Sequence, residues 1–134
     1  ARQRRCHRET AGVAPGTTVG AAVLYLCLDP GGGGTVFFSP VGSAEETEIL
    51  VNDASELSPD VFGQKYHWEP HYMTQSNDYF KVIGRIPARW NRIIFYDGGI
   101  FHSSDITSPE KLDLPGELGR LTINGFFTCT LKAT

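Results

Sequence analysis

Arg92-Ile-Ile-Phe-Tyr-Asp-Gly-Gly99, with His102 three residues further on, is the stretch that decides the fold. Its apolar run is too short for a helix and is rich in β-branched and aromatic residues, so it reads as a strand. Asp97-Gly98-Gly99 reads as a tight turn that delivers His102. On the far side, Gly119 to Leu131 reads as one long strand, with Arg120 at its start. Working back, Tyr79 to Ile86 is a strand stopped by Pro87, Thr35 to Ser39 is one closed by Pro40, and Gly20 to Leu28 is a buried one. About six to seven strands with glycine turns predict an all-β fold, a sandwich or jelly roll that hides its sheet edges between two sheets. The fifteen glycines and eight prolines suit that many turns.

The connections are less definite. Glu45 to Val51 reads as a strand or a short helical turn, and Ser58-Pro59-Asp60 as the start of another helical turn. Tyr66 to Asp78 reads as a loop rich in aromatics and His, suited to a substrate surface or to covering the core. Ser103 to Glu117 reads as a polar connection. With 134 residues and no boundary or repeat, the expectation is a single domain over 1–134.

The longest apolar run, Ala21 to Leu28, is far too short to span a bilayer, so no membrane partner is expected. Net charge is −3, which argues against nucleic acid as a partner. Arg2, Arg4, Arg5 and Arg8 read as a solvated strand or tail. The run Gly31 to Gly34 lacks the helix start and the Lys-Ser/Thr that a phosphate loop needs. Cys6, Cys27 and Cys129 are odd in number and widely spaced, which excludes a Cys-x-x-Cys zinc site. Cys27 and Cys129 read as small buried hydrophobes, consistent with a reducing, cytoplasmic compartment.

Chemistry enters through His7 and Glu9. Residues i and i+2 on a strand point to one face, so both side chains can enter a barrel mouth. With His102 they form a two-His, one-carboxylate set that leaves metal positions open, as non-haem Fe(II) chemistry requires. Arg120 offers a fork for a carboxylate. Thr122, on the same strand face, and Tyr25 offer hydroxyls. Each has a plainer reading: His7 and Glu9 as solvated surface, His102 as a hydrogen-bonded core or loop histidine, Arg120 as one half of a surface ion pair. His67-Trp68-Glu69-Pro70-His71 is a rival cluster, weakened by Pro70, which disfavours a regular strand.

Several stretches together resemble the 2-oxoglutarate- and Fe(II)-dependent dioxygenases, in their prolyl-hydroxylase-like branch, and within it an uncharacterised bacterial family. They are Val23-Leu-Tyr-Leu-Cys27 with Gly33-Gly-Thr-Val-Phe37, Tyr79-Phe80 with Ile83-Gly84, Pro87-Ala-Arg-Trp-Asn-Arg92, Phe95-Tyr-Asp-Gly98, Phe101-His-Ser-Ser-Asp105, and Gly119 to Phe127. Gly42 to Asp78 matches only loosely.

The resemblance implies a double-stranded β-helix with iron at its mouth, held by His7, Glu9 and His102. Arg120 would bind the distal carboxylate of 2-oxoglutarate, with Thr122 and Tyr25 assisting. O2 would be consumed as the co-substrate decarboxylates to succinate, and an unknown small-molecule or peptidyl substrate would be hydroxylated. The proximal pair carries Glu9 where the superfamily usually has Asp. The chain also opens almost on His7, so the expectation is a partial domain lacking its first strands, with an open sheet edge and a tendency to self-associate. The alternatives are a catalytically silent jelly-roll binding module and a cupin-like metalloenzyme without 2-oxoglutarate.

Overall fold

The computed structural model describes residues 17–28, 33–114 and 119–130, except the side chains of Lys111 and Asp113. Its described part is mostly β. The strands are β1 (Thr17–Tyr25), β2 (Gly34–Pro40), β3 (Phe80–Ile86), β4 (Arg92–Asp97), β5 (Phe101–Asp105) and β6 (Thr122–Thr130). Helices α1 (Ala44–Glu56) and α2 (Pro59–Tyr66) lie between β2 and β3. Two antiparallel three-stranded sheets result, one ordered β4-β1-β6 and the other β3-β2-β5.

Most chain connections cross between the sheets. The β4–β5 connection is the tightest crossing. The Ile100 amide donates to the Asp97 carbonyl at 3.0 Å, and the Gly99 amide to the Asp97 carboxylate at 2.7 Å. Gly98 then donates to the Val19 carbonyl, which anchors the turn to β1. The next residues form β5, a strand that pairs Phe37 with His102. His102 therefore sits on a strand, where the sequence suggested a turn leading into a polar connection.

Strand alternation sorts the side chains into two cores. Val23, Tyr25 and Ile94 of one sheet meet Phe37 and Ile86 of the other, with Cys27 and Ala88 closing the space. On the opposite face of β3-β2-β5, Val36, Phe38, Phe80 and Phe101 pack against Leu50 of α1, Phe62 of α2 and Met73. The register of β2 on β3 shifts between Phe37 and Phe38. The shift leaves Ile83 of β3 without an opposite number and interrupts the alternation, so Phe80 and Val82 join the helix-side core while Ile86 joins the inter-sheet one.

The polar stretch after Ser43 thus resolves as helix. Ser43 accepts from the Glu46 amide, while the Glu46 carboxylate accepts from the Ser43 amide. This reciprocal cap satisfies two otherwise unpaired donors, and those bonds hold the Glu46 carboxyl below its ordinary range. Ser58 caps α2, and Pro59 fits its first turn. Helices this short draw their stability from packing, supplied here by Leu50 and Phe62. A bond from Lys65 to Asp53, 2.5 Å long, ties α2 back to α1. Cys27 is buried as expected, but Cys129 is exposed. Among the described residues, no helix is long and apolar enough to cross a membrane.

Candidate functional site

A cavity of about 250 Å³ opens between the two sheets. Val23 from β1, Thr35 from β2, Tyr96 from β4, His102 and Ser104 from β5, and Asn124 from β6 all line it, together with Arg120. The volume lies just below the usual ~300–1,000 Å³ of ligand pockets, which suits a small ligand. Arg120 is the sole Arg or Lys among the described lining residues, and no Asp or Glu is among them. Such a cavity favours an anion.

His102 reaches the cavity because its register partner, Phe37, faces the inter-sheet core. It is 9% exposed. Nδ1 lies 2.9 Å from the Ile100 carbonyl oxygen. A carbonyl only accepts, so Nδ1 carries the proton and Nε2 carries the lone pair in the neutral ring. A histidine whose other nitrogen donates to a backbone carbonyl has the tautomer a metal ligand needs. Tyr96 packs edge-to-face on the imidazole, with ring centroids 4.9 Å apart and planes at 68°.

Arg120 enters just before β6. The Leu26 amide donates to the Leu121 carbonyl at 2.9 Å, fixing the backbone beside it. One Arg120 terminal nitrogen donates to the Thr122 hydroxyl at 3.3 Å. Thr122 pairs in register with Tyr25, so both lie on the inner face. Tyr25 is fully buried, and its hydroxyl is 2.5 Å from that of Thr35. Burial raises the Tyr25 pKa above its ordinary value of 10.0, although the Thr35 bond and the nearby Arg120 charge pull the other way. The phenol is therefore protonated at neutral pH. Asn91, in a left-handed turn conformation that Asn tolerates, donates its amide to the Tyr25 carbonyl and steadies that end of the strand.

His102 and Arg120 thus line one inter-sheet cavity; Thr122 adjoins it through its bond to Arg120, and Tyr25 through its bond to Thr35. His7 and Glu9 lie outside the described residues. Among the described residues, no group of three or more His, Cys, Asp or Glu side chains is placed to hold a metal. That includes His67, Glu69 and His71, whose cluster lies in a loop where the His71 ring bonds the Glu69 carbonyl.

Thr35, Tyr96 and Asn124 were not picked out from the sequence. Strand parity held the only signal. Thr35 shares a face with Phe37, Tyr96 with Ile94, and Asn124 with Thr122.

No curated protein and no solved structure matches the chain. Residues 1–127 match the Family of unknown function (DUF6445), and the chain belongs to that family.

Proposed function

We propose that this chain is a non-haem Fe(II)- and 2-oxoglutarate-dependent dioxygenase on a double-stranded β-helix, hydroxylating a small-molecule or peptidyl substrate. One observation carries the reading. Two facing sheets direct an imidazole in the Nδ1–H tautomer and an arginine into one small cavity whose described lining has no carboxylate. The strand order, crossing repeatedly between two sheets, suits the β-helix.

His102 would hold the metal through Nε2, with His7 and Glu9 as the other protein ligands. Bound Fe(II) would supply O2 activation coupled to decarboxylation of 2-oxoglutarate. The chain's own residues do the positioning. Arg120 presents parallel donors to the distal carboxylate, a geometry that a guanidinium matches bidentately. The Thr122 hydroxyl accepts from the same guanidinium and limits its rotation. The protonated Tyr25 phenol and Thr35 provide hydroxyls beside the cavity without adding negative charge that would repel a dicarboxylate.

Anaerobic calorimetry with Fe(II) and 2-oxoglutarate tests this. Removing one partner of a desolvated charge pair costs about 2–5 kcal/mol, so Arg120→Ala should weaken 2-oxoglutarate by at least about 30-fold. Fe(II) binding should change little. Equal 2-oxoglutarate affinity in the two proteins would overturn the assignment.

A further inference from the structure

We propose that Tyr96 is a positioning residue whose ring holds the His102 imidazole in the orientation that presents Nε2 to the cavity. This rests on the reading of His102 as a metal ligand, but its geometry stands separately. The terminal torsion of a histidine is broad and roughly two-fold. Strand placement alone leaves the ring free to tilt or to exchange its two nitrogens.

Two contacts remove that freedom. The bond from Nδ1 to the Ile100 carbonyl selects which nitrogen faces the backbone. Rotation about that bond remains, and Tyr96 opposes it from the other sheet through the 4.9 Å edge-to-face contact. Edge-to-face pairs of this kind hold a preferred angle as well as a distance. Tyr96 is itself braced. Phe37 packs against it edge-on at 5.2 Å and 74°, and stands 6.5 Å from His102. Phe37 and His102 are register partners on adjacent strands, so the brace and the clamped ring share one backbone frame. Tyr96 and His102 both line the cavity, so the clamp acts where a metal would bind.

The test compares the full chain with Tyr96→Leu and Tyr96→Phe. Long-range 1H–15N spectra of metal-free protein report the His102 tautomer, and Co(II) titration reports ligand quality. The native protein and Tyr96→Phe, which keeps the ring, should show a single Nδ1–H tautomer. Tyr96→Leu should let the ring tilt off the Ile100 carbonyl, so that the Nδ1 bond no longer fixes one tautomer. It should show mixed tautomers and bind Co(II) roughly tenfold or more weakly, the usual range for an outer-shell partner. A native His102 spectrum in Tyr96→Leu overturns the proposal. So does a mixed spectrum in Tyr96→Phe, which decides the matter if the leucine variant fails to fold. If the native chain binds no Co(II), the metal reading fails, and the metal-free spectra still decide the role of Tyr96.

Discussion

The hydroxyls of Tyr25 and Thr35 lie 2.5 Å apart and join the middle strand of one sheet to the middle strand of the other. Both residues are buried, Tyr25 completely and Thr35 to within 4%. Either oxygen alone would be a desolvated polar group in the core. Together they form a polar link beside the candidate site, close enough to Arg120 for its charge to act on the phenol.

Tyr25→Phe should destabilise the fold by about 1–3 kcal/mol, because the Thr35 hydroxyl is left buried without this partner. Adding Thr35→Val removes the stranded oxygen, so the double variant should recover part of the loss. Urea denaturation of the two single variants and the double variant checks this. Additive losses would mean that the bond contributes nothing.

Alkaline pH should weaken the protein. Burial raises the Tyr25 pKa in the folded state, so the folded chain holds the phenolic proton more tightly than the unfolded one. Its contribution is fully present below the unfolded value of about 10 and is lost as pH rises through the folded value. Tyr66 shifts the same way, through burial and its bond to Asp53. Tyr25→Phe should therefore flatten the fall in stability above about pH 10 without abolishing it. Urea midpoints measured across that range give the comparison.

Glycines 34 and 84 should respond oppositely to alanine. A Cβ on Gly34 would come 1.9 Å from the Ile86 carbonyl oxygen, a backbone atom with nowhere to go, whereas one on Gly84 meets nothing within 4 Å. Gly34→Ala should cost roughly 1–3 kcal/mol, as overpacking does, and should disturb the neighbouring Thr35. Gly84→Ala should be tolerated. Thermal denaturation of the two variants tests the contrast.

Much of the strand content was legible because apolar runs between Gly and Pro report directly on buried strands. Phe101 to Asp105 was not. Its one large apolar residue, Phe101, faces the helix-side core, while His102 and Ser104 line a cavity and so give no hydrophobic alternation. The stretch after Ser43 read ambiguously because α1 has a single buried residue, Leu50, and is specified largely by its cap. Arg120, Thr122 and Tyr25 were picked out as strand-borne donors, and they are neighbours: Arg120 bonds Thr122, the register partner of Tyr25. Thr35 and Tyr96 were missed because strand parity gives only the face each shares with its neighbours, and a contact across two sheets leaves no spacing that names its partner. Cys129 was misjudged because an apolar strand pattern does not say which of its faces is covered.

Arg120→Lys should bind 2-oxoglutarate more weakly than the native protein and more tightly than Arg120→Ala. Lysine keeps the charge but loses the planar fork. Raising the ionic strength should weaken binding to the lysine variant more than to native protein if a point charge has replaced paired hydrogen bonds. Calorimetry at two salt concentrations measures both effects, and a lysine variant equal to native would remove the argument for a bidentate grip.

The most direct measurement is anaerobic addition of Fe(II) and then 2-oxoglutarate to the full chain, followed by visible absorption. The account predicts a weak charge-transfer band that needs both additions, reaches a limit with 2-oxoglutarate, and is lost in His102→Ala. Metal binding without the band would point to a metalloenzyme that does not use 2-oxoglutarate. Absence of both metal binding and the band would contradict the account outright and leave a catalytically silent jelly-roll binding module.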